Sequence, residues 1–236
     1  MLLSVVLPCF EEEASVARFE AELFPELEAL GVPFEVVAVD DGSADATGAE
    51  LRNLAGTRRN FRAVAHEYHR GIGAALRTGF AAAGGDWIAT LDADMSFHPS
   101  QLRLLLDCQK ATGADMVSGS PFLCAAGTAQ VPWRRRLPSL WVNAVYRRLC
   151  GPRLTAYTPI MRLYRTSVLR ALRLEAIGFE INAEIAARIL AAGRAVAEVP
   201  VVLSVRRHDR SKLSPLQELW RHGRLALRLR RELKAR

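Results

Sequence analysis

The chain has 236 residues and a net charge of +7, and half of its residues are hydrophobic, which suits one large domain or one domain with a small extension. It contains no run of about 18 apolar residues, so no segment is expected to span a bilayer. The sequence starts with a strand pattern and lacks the basic start and cleavage site of a signal peptide. Its four cysteines form no CxxC pair and are interpreted as reduced thiols of a cytoplasmic protein.

The charge is distributed unevenly along the chain. Residues 1–120 carry 9 Lys and Arg against 18 Asp and Glu, whereas residues 121–236 carry 23 against 7. The second half is therefore expected to meet an anion such as a phosphate or an acidic membrane surface. It has no helix-turn-helix, zinc-finger or RNA-binding signature, so nucleic acid is not an expected partner. A basic bias of the whole genome would explain the same count without any partner.

Short apolar runs alternate with helical patterns over the first half of the chain. Strands are predicted at residues 2–7, where Pro8 ends the run, and at residues 34–39, 63–66, 87–91 and 116–118. Helices are predicted at residues 12–30, 46–54, 73–83 and 99–110. This alternation predicts an α/β protein with a mainly parallel central sheet covered by helices on both faces.

Acidic side chains follow three of the predicted strands. Residues 11–13 follow the first strand, Asp40 and Asp41 end the second, and Asp92 and Asp94 follow the fourth. Ligands of such sheets bind beyond the carboxyl ends of the strands, near a point where the strand order reverses. Three acidic clusters at one edge would repel a bare phosphate, but with a divalent cation between them they suit a nucleotide diphosphate.

The segment LDADMSFHP, residues 91–99, is compatible with several chemistries. An EF-hand loop starting at Asp92 needs Gly and Glu where the sequence has Phe97 and Arg103, which excludes it. An aspartate nucleophile for phosphoryl transfer and two solvated loop aspartates remain alternatives. A Mg²⁺ or Mn²⁺ site needs only one or two carboxylates when substrate phosphates complete the coordination. The cation would offset the repulsion between Asp92 and Asp94 and act as a Lewis acid.

Seven segments taken together carry a family resemblance. They are, in chain order, VVLPCFEEE, VVAVDDGSADAT, GIGAALRTGF, LDADMSFHP, MRLYRTSVL, FEINAEIAARILAAGRAVAEVPV and RRHDRSKL. This set resembles the family 2 inverting glycosyltransferases with the GT-A fold, most of all the dolichol-phosphate mannose synthases and their bacterial polyprenyl-phosphate relatives. The resemblance covers about residues 3–215. It implies a GT-A nucleotide-diphospho-sugar transferase domain at residues 1–213, followed by a basic amphipathic helical extension at residues 214–236.

The resemblance assigns the nucleotide to the loop after the first strand and to the tip of the second. The matching positions are Pro8, Phe10, Glu12, Val39 and Asp41. Carboxylates accept hydrogen bonds from a base N–H or from ribose hydroxyls, which fits Glu12 and Asp41. Phe10 stands where the family usually has Tyr, so a ring is kept for packing on the base and a hydroxyl is lost.

The resemblance also assigns the metal and the diphosphate. Asp92, Ala93 and Asp94 match the segment that binds both, with Asp94 as the expected direct metal ligand and Asp92 as a ligand of the metal or the sugar nucleotide. Ser96 is a further candidate ligand, directly or through water. His98 is interpreted as a packing residue, or as a residue that supports a ligand, rather than as a ligand itself. Mg²⁺ or Mn²⁺ is therefore the implied cofactor.

Basic residues of the second half are assigned to phosphates. Arg206 and Lys212 match the two basic residues of the family's R-x4-S-K-L element and are expected to bind a diphosphate or an acceptor phosphate. They join Asp94 as the expected catalytic residues, because electrostatic stabilisation of the departing diphosphate carries such a reaction. Arg135 and Ser139 are the candidate contacts of the acceptor phosphate.

The implied function is metal-dependent, inverting transfer of a hexose to a polyprenyl phosphate, with mannose from GDP-mannose as the nearest resemblance. A UDP-sugar donor, or a glycan or lipid hydroxyl acceptor, is the alternative within the fold. A hydroxyl would need a general base, for which Glu184 is a candidate. An inactive nucleotide-sugar-binding protein is an alternative of a different class, since Pro121 and Asp209 stand where relatives have Arg and Gly.

The end of the chain reads as a basic amphipathic helix. Arg221, Arg224, Arg228 and Arg231 recur at helical spacing among leucines and Trp220. Helices of this kind lie at anionic bilayer surfaces, where a polyprenyl phosphate would be found. The sequence therefore predicts a cytoplasmic protein that binds the inner face of the cell membrane peripherally. A solvated helix packed on the domain is the alternative.

Overall fold

The computed structural model describes residues 1–129, 133–204 and 215–234, and the side chains of residues 1–129, 137–204 and 217–232. Within these ranges, one sheet contains seven strands: β1 (Leu3–Cys9), β2 (Phe34–Asp40), β3 (Phe61–Ala65), β4 (Trp87–Thr90), β5 (Met116–Ser120), β6 (Arg162–Arg165) and β7 (Val196–Pro200). Their order is β3-β2-β1-β4-β6-β5-β7. Among these strands, β6 alone runs antiparallel to its neighbours, which confirms a mainly parallel sheet.

Helices connect most of the strands. In the same residues they are α1 (Glu13–Val16), α2 (Phe24–Glu28), α3 (Thr47–Thr57), α4 (Ile72–Ala82), α5 (Leu102–Thr112), α6 (Trp133–Cys150), α7 (Thr166–Arg170), α8 (Ile181–Ala191) and α9 (Pro215–Lys234). The predicted single helix over residues 12–30 is interrupted by a π-helical segment at Phe19–Leu23. Pro25 lies in the first turn of α2, where its missing N–H costs no helical hydrogen bond, so a new helix starts there.

The first strand continues through Pro8, which the sequence analysis placed at its end. In the described residues, β1 pairs with β4 only from Leu3 to Val6. It pairs with β2 along the whole of β1, and Val39 of β2 lies opposite Pro8. A proline is tolerated in a strand where its missing N–H faces no partner. The strand therefore carries Pro8 and Cys9 beyond the end of β4, to the edge where ligands of such sheets bind.

The central strands are buried on both faces, as in other parallel sheets. Val5, Val6 and Val37 are completely buried, and burial of one such side chain stabilises a fold by about 1.5–3 kcal/mol. Helix α4 packs closely on β1 because it offers Gly79 at the contact: a Cβ at that position would lie 2.3 Å from Cγ1 of Val6. A substitution of Gly79 by a larger residue would therefore push α4 off the sheet.

The predicted C-terminal helix is present as α9, and it packs against α6 and α8. Its inner face buries Leu225 and Leu229. Arg188 of α8 pairs with Glu232 of α9 at 2.9 Å. Over the described ranges, no helix combines the length and the apolar character needed to cross a membrane.

Candidate functional site

A cleft of about 530 Å³ opens at the carboxyl ends of β1, β2 and β4. Its lining includes most of the positions that the sequence assigned to the nucleotide and the metal, namely Pro8, Phe10, Glu12, Asp41, Asp92, Ala93 and Asp94. These residues come from three strand ends far apart in the chain. The topology brings them together because the carboxyl ends of parallel strands meet at one edge of the sheet.

Two of the assigned residues lie outside the lining of this cleft. Val39 is completely buried in β2 and pairs with β1 and β3. Ser96 is buried too, and its N–H donates to Oδ1 of Asp94 at 2.8 Å. This hydrogen bond from the N–H of Ser96 orients the carboxylate of Asp94.

The basic and acceptor-side assignments are only partly described. Arg206, Lys212 and the side chain of Arg135 fall outside the described residues. Ser139 lies on α6, where its hydroxyl hydrogen-bonds that of Thr158 at 3.1 Å, and it does not line the cleft. Their roles toward phosphates remain predictions.

Asp92 and Asp94 meet the cleft through a tight turn. The N–H of Met95 donates to the carbonyl of Asp92 at 3.1 Å, and Met95 adopts a left-handed conformation with φ of 54°. No cluster of three or more His, Cys, Asp or Glu side chains suited to a metal ion occurs in the described part of the chain. Two carboxylate ligands still fit Mg²⁺ or Mn²⁺, since such ions share their coordination with substrate phosphates and water.

His98 caps the short helical turn that follows. Its Nδ1 lies 2.8 Å from the hydroxyl of Ser100 and accepts the N–H of Ser100 at 3.4 Å, and its side chain is exposed. The exposed side chain differs from the interpretation of His98 as a packing residue. The cap fixes the path of the chain from Asp94 into α5.

The loop that carries Glu12 is held by the DDGSADAT segment. The N–H of Glu12 donates to Oγ1 of Thr47 at 2.7 Å, and Glu12 Oε2 accepts the hydroxyl of Ser15 at 2.7 Å. The N–H of Glu11 donates to Oγ of Ser43 at 2.8 Å. The DDGSADAT segment therefore holds the loop after β1 by hydrogen bonds and also contributes Asp41 to the cleft.

Asp41 is almost completely buried and accepts three hydrogen bonds. Oδ1 lies 2.6 Å from Nδ1 of His66 and accepts the N–H of Arg70 at 3.1 Å. Oδ2 accepts the N–H of Gly71 at 2.7 Å and lies 3.0 Å from Nδ1 of His69. A carboxylate has about four lone-pair positions, so these hydrogen bonds use most of its capacity as an acceptor.

Sequence analysis did not single out His69, which the structure places in the cleft. Its ring lies over that of Phe10, with centroids 4.0 Å apart and planes tilted by 38°. The side chain is 53% exposed, whereas the side chain of His66 is 5% exposed and its Nε2 lies 2.9 Å from Oγ1 of Thr78. The signal in the sequence was the EYHRGIG segment just before α4, which places a histidine beside the Gly71 turn.

Part of the lining of the cleft belongs to α9. Gln217, Glu218 and Arg221 line it together with the loop at residues 177–179. Arg221 pairs with Glu218 at 2.9 Å. Burial, reinforced by the negative charge of Glu180, raises the pKa of Glu218. Arg221 thus brings a cation to the cleft, a position that its helical spacing alone did not reveal.

Glu184, the candidate base for a hydroxyl acceptor, does not line the cleft. It is completely buried, and Oε2 accepts the N–H groups of Glu175 and Ala176 at 3.0 and 2.8 Å. Oε1 accepts from Arg188 at 3.0 Å and from Arg228 at 2.7 Å. This arrangement anchors α9 to α8 and gives no support to a role as base.

A mostly parallel sheet with an acidic pair at its carboxyl edge and flanking helices defines a GT-A-like α/β protein. The sequence profile of "Glycosyl transferase family 2" matches residues 4–173. The chain therefore belongs to glycosyl transferase family 2, as its motifs indicated.

Curated relatives of the chain are polyprenyl-phosphate glycosyltransferases by name. It is 35% identical over 173 residues to undecaprenyl-phosphate 4-deoxy-4-formamido-L-arabinose transferase of Pseudomonas paraeruginosa, which covers 72% of this chain and 49% of the relative. It is 34% identical over 191 residues to polyprenol monophosphomannose synthase of Mycolicibacterium smegmatis, covering 76% of this chain and 70% of the relative. The chain thus spans about half the length of the first relative.

Solved structures with the same fold include glucosyl-3-phosphoglycerate synthase from Mycobacterium tuberculosis. Its complex with Mn²⁺, UDP and phosphoglyceric acid has a TM-score of 0.65 and 25% identity, covering 97% of this chain and 76% of that one. A second complex of that enzyme, with Mn²⁺, UDP-glucose and phosphoglyceric acid, has a TM-score of 0.68 and 23% identity, covering 97% and 78%. Both support the GT-A-like fold.

Proposed function

We propose that this chain transfers a sugar from a nucleotide sugar to a polyprenyl phosphate. The observation that carries the proposal is the convergence of Asp92, Asp94, Asp41 and Phe10 on one cleft at the carboxyl edge of the sheet. The names of the two relatives differ in the sugar, and each of them combines a polyprenol-type lipid with a phosphate. A phosphate acceptor is the chemistry common to both.

Asp92 and Asp94 would hold a Mg²⁺ or Mn²⁺ ion together with oxygens of the diphosphate. When bound, such an ion supplies Lewis-acid stabilisation for a leaving diphosphate. The solved relative with Mn²⁺ and UDP supports a divalent ion in this fold. Ser96 has a positioning role in this proposal, because its N–H fixes one oxygen of Asp94.

The remaining chemistry is displacement at the anomeric carbon. An oxygen of the acceptor phosphate forms a bond to that carbon while the bond to the diphosphate oxygen breaks, and the configuration inverts. The acceptor is already an anion, so the step needs no proton transfer and no general base. The chain contributes positioning and positive charge from Arg221 and, as we propose from the family motif, Arg206 and Lys212.

The donor that we favour is GDP-mannose, on the resemblance to mannose-transferring relatives, one of which is named as a monophosphomannose synthase. A UDP-linked sugar is the second candidate, because the solved structure of glucosyl-3-phosphoglycerate synthase at 25% identity is a complex with UDP. The two candidates share the nucleoside diphosphate and the metal, and they differ in the base and the sugar.

We further propose that α6 and α9 hold the chain at the inner membrane face. Trp220, Arg224, Leu227 and Arg231 follow each other at spacings of four, three and four and lie on the exposed side of α9. Trp141 on the neighbouring α6 is 54% exposed, and Trp220 on α9 is 61% exposed. Tryptophans flanked by arginines suit the headgroup region of an anionic bilayer.

The experiment that tests the transfer is a donor screen with purified protein, Mn²⁺ and a short polyprenyl phosphate. Labelled GDP-mannose, GDP-glucose, UDP-glucose and a UDP-linked pentose are supplied in turn, and label in the lipid extract is counted. One donor should label the lipid, and the matching polyprenol without phosphate should stay unlabelled. Transfer to the polyprenol instead, or no transfer from any donor, would contradict the proposal.

A further inference from the structure

Arg221 lines the cleft, but a carboxylate of its own helix already holds its guanidinium. Nη1 of Arg221 donates to Oε1 of Glu218 at 2.9 Å. Glu218 lines the cleft as well, and its side chain is 15% exposed. A diphosphate that binds Arg221 must therefore compete with a largely buried ion pair rather than with water.

A second carboxylate lies at the same place, just before α8. A Cβ built on Gly178 would lie 2.5 Å from Nη1 of Arg221 and 2.6 Å from Oε2 of Glu180, so these two groups meet over Gly178. Oε1 of Glu180 accepts the N–H groups of Ile177 and Gly178, at 3.3 and 3.2 Å. The cluster of Glu180, Glu218 and Arg221 thus combines two carboxylates with one guanidinium.

Two oxygens of this cluster are buried without a hydrogen bond to any residue that the structure describes, namely Oε2 of Glu180 and Oε2 of Glu218. A buried acceptor that lacks a partner costs about 1–3 kcal/mol. Burial and the charge of Glu180 raise the pKa of Glu218, and Arg221 and the backbone of Phe179 act against this shift without cancelling it. An arrangement that costs stability and lies in a cleft points to a role toward a ligand.

We propose that Glu218 lowers the affinity of the cleft for the diphosphate by holding Arg221 in an ion pair, which favours release of the nucleoside diphosphate product. The inference rests on the proposed function, because it assumes that a diphosphate binds in this cleft. Glu218 acts through Arg221 and is thus a positioning residue. Since product release limits the turnover of many enzymes, a carboxylate that keeps the diphosphate from binding too tightly serves catalysis.

The test is calorimetric binding of pyrophosphate, GDP and UDP in the presence of Mn²⁺. Glu218→Gln should bind pyrophosphate and the preferred nucleotide about tenfold more tightly than the wild type, because the ligand no longer competes for a charge-assisted hydrogen bond. Arg221→Gln should bind them about tenfold more weakly. Damage to the structure would weaken binding, so it cannot produce the gain expected for Glu218→Gln.

The variant that carries both changes separates two causes of such a gain. If Glu218 acts through Arg221, Glu218→Gln should change nothing once Arg221 is replaced, whereas direct repulsion of the ligand by Glu218 would give the same gain in both backgrounds. Arg230→Gln, at an exposed position of the same helix, should leave the affinities unchanged.

No gain in Glu218→Gln, or an equal gain in the Arg221→Gln background, would overturn the inference and leave the proposed function standing. A wild-type protein that binds neither pyrophosphate nor either nucleotide in the presence of Mn²⁺ would overturn the proposed function itself.

Discussion

Arg228 of α9 donates to Oε1 of Glu184 at 2.7 Å, across 44 residues of sequence, and Glu184 is completely buried. Two backbone N–H groups and Arg188 complete the contacts of the same carboxylate. Four sources of hydrogen bonds thus compensate one buried negative charge. The hydrogen bond between Arg228 and Glu184 therefore attaches α9 to α8.

Replacement of Glu184 by Ala should destabilise the protein by roughly 3 kcal/mol, because it leaves the N–H groups of Glu175 and Ala176 without their acceptor and removes one of the carboxylates that compensate Arg188 and Arg228. The measurement is urea unfolding followed by circular dichroism. Arg173→Ala is the matched control: Arg173 pairs with Glu175 but its side chain is 87% exposed, so the change should stay within about 0.5 kcal/mol. Equal losses in the two variants would contradict the anchoring role.

His222 makes stability depend on pH. Burial lowers its pKa to about 4, and the hydroxyl of Tyr146 lies 3.2 Å from Nδ1. The unfolded chain takes up this proton near pH 6.5, whereas the folded chain does so only near pH 4, so stability falls as the pH drops through this window. Between pH 7 and pH 5, His222 should account for a loss of about 2 kcal/mol.

The measurement for His222 is the free energy of unfolding at pH 7 and pH 5 for the wild type and for His222→Gln. The variant should start less stable at pH 7 and lose less on acidification. Because the carboxylates titrate in both proteins, only the difference between the two pH profiles reports on His222. Parallel profiles would show that the histidine is not held neutral in the folded state.

Asp94→Asn should remove metal-dependent catalysis. Loss of a carboxylate ligand to a metal that stabilises a leaving diphosphate costs several kcal/mol, which corresponds to roughly a thousandfold fall in kcat. The gain in GDP or UDP affinity on addition of Mn²⁺, measured by calorimetry, should disappear as well. Asp107→Asn, an exposed change on α5, is the control and should remain within about twofold of the wild type. Full turnover by Asp94→Asn would exclude the metal role.

Replacement of Arg224 and Arg231 by Ala should weaken binding to anionic vesicles. Each arginine near such a surface contributes about 1 kcal/mol, so the double variant should bind roughly thirtyfold more weakly at low salt. Co-sedimentation with phosphatidylglycerol vesicles measures this, and the difference should shrink as salt is added. A variant with Arg52 and Arg59 replaced removes the same charge from an exposed part of α3 and its following loop. It should bind as the wild type does; an equal loss would point to net charge rather than to α9.

Most of the first half of the fold could be predicted from the sequence because β1, β2 and β4 are apolar runs that are largely buried, whereas β3 is an edge strand with only Phe61 buried. The second half could not, since β6 and β7 carry charges within the sheet. Arg162 of β6 is completely buried, and neutral groups solvate it, among them the hydroxyl of Ser118 at 3.1 Å. Glu198 of β7 accepts the N–H of Thr155 at 2.6 Å. Such pairings depend on tertiary contacts that hydrophobic periodicity does not record.

The residues of the candidate site also differ in whether the sequence could predict them. Residues at strand ends, such as Asp41 and Asp94, were predictable because a parallel sheet gathers its carboxyl ends. His69 and Arg221 were not, since a loop before α4 and the docking of α9 bring them to the cleft. Their positions follow from contacts between distant segments rather than from a pattern within either one.

The way in which α9 is attached makes the cleft a composite of both ends of the chain. Its N-terminal part lines the cleft, Glu184 binds its Arg228, and its exposed face carries Trp220. A deletion that removes α9 would take away one wall of the cleft and expose the apolar surface that Leu225 and Leu229 now cover. A version of this protein that lacks α9 would therefore have a cleft of different shape, even with every strand-end residue intact.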